Sequence, residues 1–133
     1  MDLSRINYVA VLVAALSSFL IGGLWYSPIL FANAWMREAG LDEARLREKV
    51  AGVFAGAFLL SCVVALNLAL FLGDHATIAW GAGAGALAGL GWAATSLATV
   101  FLFERRSLML VLIDGGYLAV SYTVMGAVIG AIQ

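Results

Sequence analysis

The sequence predicts an all-α integral membrane protein, a four-helix bundle with a short interfacial helix between spans 1 and 2. Three observations lead there. Hydrophobic side chains make up 64% of the 133 residues and charged ones 11%, too little polar surface to coat a soluble globule. The apolar residues collect in four stretches, at about 6–27, 50–72, 76–103 and 107–132, each with the roughly 20 residues that a helix needs to cross about 30 Å of hydrocarbon. The charges cluster in the connections between those stretches. A helix satisfies its backbone groups internally, so four spans need no sheet. The chain reads as a single transmembrane domain, 1–133.

The first stretch follows Arg5 and continues from Tyr8 to Trp25 without a small-residue cleavage site, so it reads as a retained span and not as a signal peptide. Beyond it, Ser27 is placed to cap a helix whose first position is Pro28, where a missing N–H costs nothing. Phe31, Ala32, Trp35, Met36 and Ala39 then recur at helical spacing, which predicts an interfacial helix over 28–39. Gly40 suits its end. Asp42 can cap a further, charged helix that is expected to run straight into the second span.

Basic residues accumulate in cytoplasmic loops. Arg37, Arg45, Arg47 and Lys49 lie in the first connection and Arg105 and Arg106 in the third, with only Arg5 on the other side. This predicts a multi-pass protein of the cell (inner or plasma) membrane with both termini outside the cytoplasm. Trp25, Tyr26 and Trp35 are expected to anchor the cytoplasmic interface, as amphipathic rings do.

In the third span Gly81, Gly85, Gly89, Trp92, Ser96 and Thr99 share one helical face. Small residues at this spacing let a neighbouring helix approach closely. Gly52 with Gly56, and Gly126 with Gly130, repeat the pattern on the second and fourth spans. Packing within the chain is the simpler use of all three, and a homo-oligomer the alternative.

Several segments together resemble a known family. They are Gly23-Leu24-Trp25-Tyr26-Ser27-Pro28 with Phe31, Ala34-Trp35-Met36 and Gly40-Leu41, then Gly89-Leu90-Gly91-Trp92, Leu102-Phe103-Glu104, Arg106-Ser107 and Gly116-Tyr117. In these the chain is similar to the bacterial membrane proteins grouped as domain of unknown function 1761, over nearly its whole length. The resemblance implies a four-helix protein of the bacterial inner membrane with no established activity. It also implies an asparagine where this chain has Asp114, a residue that would act by hydrogen bonding and not by charge.

Asp114 is the candidate polar site. It lies about 10 Å beyond Ser107 at 1.5 Å per residue, inside the hydrocarbon, where an aspartate near a helix centre costs roughly 2.5–3.5 kcal/mol to insert. It therefore needs a partner. Tyr117 and Ser121 follow on the same helix, and antiparallel geometry about Arg105 brings Ser96 to its depth, with Ser17 or Ser18 and Ser61 near the same level. In one reading these residues form a structural layer; in the other, Asp114 is the ion site of an oligomeric small-solute, ion or proton-coupled transporter.

Other classes find no footing. His75 and Cys62 stand alone, so no metal site, cofactor site or catalytic triad can be assembled and no catalytic residue is named. A formal net charge of −1 gives no basic surface for nucleic acid. The expected partner is the lipid bilayer, and the expected role is structural or accessory and non-enzymatic.

Overall fold

The computed structural model describes residues 2–133. Seven α-helices are present among them: α1 (Tyr8–Trp25), α2 (Ala32–Ala39), α3 (Glu43–Arg47), α4 (Val50–Leu72), α5 (Ile78–Ala88), α6 (Thr95–Phe103) and α7 (Leu108–Ile132). A π-helical turn, Gly89–Ala94, joins α5 to α6 without a break, so Ile78–Phe103 is one continuous span. Together with α1, α4 and α7 it makes four helices long and apolar enough to cross a membrane.

Three of these four spans start at short polar side chains that accept from otherwise unpaired N–H groups. Asn7 accepts from Val9 and Ala10, Thr77 from Trp80 and Ser107 from Leu110. Asp42 caps α3 through the Arg45 amide at 2.7 Å. Two departures from the expected course follow from local conformation. The interfacial helix begins at Ala32 and not at Pro28: Ser27 caps nothing, because its hydroxyl donates back to the Leu24 carbonyl at 2.6 Å. Residues 28–31 are turns instead. The charged helix α3 stops at Arg47, and Lys49 adopts a left-handed conformation (φ 50°) that breaks the chain before α4. Arg105 does the same in the tight connection between α6 and α7 (φ 60°), where the Arg106 and Arg105 amides return to Phe101 and Leu102, a Schellman ending built without glycine.

The fourth span, α7, lies at the centre, with α5 along one side and α1 along another, while α4 packs chiefly on α1. The buried apolar cluster joins Val11 and Ala14 of α1, Ala65, Leu68 and Ala69 of α4, and Met125 and Ile129 of α7. It occupies the half of the molecule nearer the termini. At that end Arg5 pairs with Asp74 at 3.0 Å and the Gln133 amide donates to the Gly73 carbonyl. Both termini and the Gly73-Asp74 turn are therefore gathered on one side, opposite the basic connections.

The contact between α5 and α7 is the closest in the molecule. A Cβ built on Gly81 or Gly85 would meet the carbonyl carbon of Gly126 or Tyr122 at 2.8 Å, and one on Gly89 would meet the Tyr122 Cβ at 2.7 Å. Gly126 and Gly130 supply the matching surface on α7. Backbone lies on backbone here, a separation that only glycine allows. Gly52 and Gly56 differ: nothing lies within 4 Å of either, so their face of α4 packs on no other part of the chain.

Candidate functional site

Asp114 sits on α7 six residues after its start, about 9 Å along the axis at 1.5 Å per residue. Its partner is Tyr26. The Tyr26 hydroxyl donates to Asp114 Oδ1 at 2.7 Å, within the range of a strong O–H···O bond to a carboxyl oxygen. Next to it, the indole N–H of Trp25 donates to the Ile113 carbonyl at 2.9 Å. Two consecutive residues at the end of α1 thus hold two consecutive residues of α7. Gly116 makes this possible, because a Cβ there would come within 3.0 Å of the Trp25 ring.

The aromatic rings close round these bonds. Trp25 packs on Phe31 with centroids 4.9 Å apart, and Tyr26 lies between Trp35 at 4.7 Å and Tyr117 at 5.5 Å. Helix α2 is drawn onto α7 by the same contacts. Trp25, Tyr26 and Trp35, expected as anchors at the interface, are half-buried. Their rings turn inward because the turn after α1 folds back over α7 and presents them to Ile113 and Asp114.

About two turns farther along α7 lies a second polar group. Ser18 and Ser121, 3% and 1% exposed, face each other with hydroxyl oxygens 2.6 Å apart. The Tyr117 hydroxyl lies 3.1 Å from Ser18 Oγ and donates to the Ser18 carbonyl at 3.2 Å. Gly22 leaves room for the Tyr117 ring, which would touch a Cβ there at 3.4 Å. Asp114, Tyr117 and Ser121 accordingly form a stripe on α7, and all three are bonded to α1 or to the residue that ends it.

Ser96 is not in this group. It is exposed and makes no hydrogen bond with Asp114, and the π-helical turn is the reason. Buried positions on the third span run Gly81, Gly85, Gly89 at four-residue spacing and then jump five residues to Ala94, whose Cβ lies 3.4 Å from one built on Gly115. The extra residue rotates everything after it by about 100° relative to a regular helix of 3.6 residues per turn. Trp92, Ser96 and Thr99, which share the glycine face in a regular helix, turn outward; Trp92 is 72% exposed. Thr95 and Thr99 direct their hydroxyls to carbonyls of their own helix.

Sequence reasoning missed Tyr26 and Trp25 as partners of α7. A signal existed in the pairing of bulky and absent side chains: Gly22 and the Gly115-Gly116 pair mark where a Trp-Tyr dipeptide can approach a helix. Among the described residues no three histidines, cysteines or carboxylates are grouped so as to hold a metal ion. What the arrangement does chemically is hold: Ser18, Trp25 and Tyr26 are tied to α7 by hydrogen bonds for which lipid offers no water as a substitute, and the Trp35 ring joins α2 to them through Tyr26.

The four apolar spans and their internal polar ties define a small, all-helical, multi-pass membrane protein. Within that class, the chain belongs to the family described as Protein of unknown function (DUF1761), whose model matches residues 9–130. No curated protein and no solved structure matches it.

Proposed function

We infer that this is a non-enzymatic structural or accessory protein of the bacterial inner membrane, with both termini outside the cytoplasm. The observation that carries the reading is the hydrogen bond from Tyr26 to Asp114. Asp114 is the only acidic residue within the four spans, and an intramembrane acid marks a transport or ion site by default. Here its bonded oxygen is taken up by a tyrosine of the same chain, under rings that pack on one another. Ser18, Tyr117 and Ser121 are likewise bonded among themselves. Polar groups used in this way support a role in fixing helix register, with the protein acting through its lipid- and partner-facing surfaces, alone or as a homo-oligomer.

Proteoliposomes test it. Vesicles containing the native chain are expected to pass protons and monovalent cations no faster than vesicles without protein, and the same as vesicles with Asp114→Asn. A flux that needs Asp114 would replace this reading with an ion-coupled transporter. Reporter fusions at the C-terminus are expected to be active only outside the cytoplasm, as the basic asymmetry requires.

A further inference from the structure

A lateral groove of about 670 Å³ opens between α4 and the third span. Asn67 and Phe71 stand on one wall, Trp80, Leu87 and Gly91 on the other, and Tyr122 of α7 forms part of the floor. None of its lining residues is charged, so its occupant is an uncharged one. From Trp80 to Trp92 a helix advances about 18 Å at 1.5 Å per residue, close to half of a hydrocarbon core of about 30 Å. The groove thus runs from the interface, where Phe71 and Trp80 stack with centroids 6.1 Å apart, to the bilayer midplane. That is the extent of one acyl chain in one leaflet. A transmembrane helix of a second copy is about 10–12 Å across and needs the whole thickness of about 30 Å, whereas the groove covers about half of it.

Asn67 gives the groove a polar point. Its amide nitrogen donates to the Val63 carbonyl at 2.8 Å, which leaves its carbonyl oxygen and second N–H open on an exposed face of α4. A polar side chain inside a span, one turn below the aromatic pair, is a functional candidate by position. We propose that the groove holds one acyl chain of a membrane lipid from the leaflet at the terminal end, with Asn67 hydrogen-bonded to the ester or amide linkage at the head of that chain. This site lies on a different pair of helices from the Tyr26–Asp114 contact and stands independently of it.

Gly91 provides the variant. Nothing lies within 4 Å of a Cβ built there, so Gly91→Leu fills the groove without pressing on backbone; Gly83→Leu, equally open and outside the groove walls, is its control. The full chain is reconstituted in vesicles of palmitoyl-oleoyl phosphatidylethanolamine, released in mild detergent and weighed by native mass spectrometry. The native chain and Gly83→Leu are expected to retain one phospholipid per chain, Gly91→Leu to retain at least tenfold less, and Asn67→Leu about three- to tenfold less, the effect of one hydrogen bond. Equal retention by native and Gly91→Leu overturns the proposal. A native dimer that Gly91→Leu turns into a monomer also overturns it, and assigns the groove to a second copy. A second measurement uses the native chain alone, with a phosphatidylethanolamine bearing a diazirine in the lower part of one chain. Labelling is expected to concentrate on Val63–Asn67 and Leu87–Trp92; labelling spread evenly over exposed positions such as Val53, Leu59 and Val100 overturns the assignment.

Discussion

Gly85→Ala isolates the contact on which the third and fourth spans depend. The added Cβ would lie 2.8 Å from the Tyr122 carbonyl carbon and 3.1 Å from Thr123 Cα. Both atoms are backbone, so neither can rotate away. Carbon atoms reach favourable contact at about 3.5–4.0 Å, and the helices must separate by about 1 Å to restore it. A gap of about 0.5–1 Å forfeits a quarter to a half of each dispersion well it opens, and the loss spreads to the neighbouring approaches at Gly81, Gly126 and Gly130. Overpacking of this kind costs about 1–3 kcal/mol. Alanine also favours any helix over glycine by about 0.5–1 kcal/mol, which partly hides the effect. Gly83→Ala removes that ambiguity: it sits on the same helix, has nothing within 4 Å, and is expected to be stabilising by that same amount. The difference between the two variants is then the packing term alone, about 1–3 kcal/mol. Unfolding by sodium dodecyl sulfate in mixed micelles, followed by circular dichroism, measures both. A difference below about 0.5 kcal/mol would refute the claim that helix contact at Gly85 needs glycine, since it falls under the least overpacking cost.

Three further outcomes are expected in the same assay. Tyr26→Phe removes the donor to Asp114 and should destabilise the protein by about 1–3 kcal/mol, whereas Asp114→Asn, which keeps an acceptor for that hydroxyl, should lose less than about 1 kcal/mol; an unchanged stability in Tyr26→Phe would show that the bond contributes nothing. Ser18→Ala strips Ser121 of its partner at a site closed to water and should lower stability by about 1–2 kcal/mol; an unchanged unfolding midpoint would show that the hydroxyl pair contributes nothing. Lys49→Gly relieves a left-handed residue with a Cβ and should raise stability by about 0.5–1 kcal/mol; a loss instead would mean that the lysine side chain holds the turn.

Span existence was legible in the sequence because it depends on length and apolarity, properties of consecutive residues that no tertiary contact can alter. The same holds for the cap at Asp42, which acts within one turn of itself, and for the glycine spacing on the third and fourth spans. Which helix each glycine face meets was not legible, because spacing describes a surface and not its partner: Gly81, Gly85 and Gly89 lie against Gly126 and Tyr122, while Gly52 and Gly56 meet nothing in the chain. The position of Asp114 within the fourth span followed from counting residues, but its partner did not. Counting along a regular helix leads to Ser96, and the π-helical turn at Gly89–Ala94 rotates that residue outward. Tyr26 reaches Asp114 only because the chain after α1 folds back as turns over residues 28–31, a path set by long-range packing of rings against Gly116 and Ile113. Periodicity is a local property and is written into the sequence; register shifts and ring placement are settled where two helices meet, and for those the tertiary structure decides.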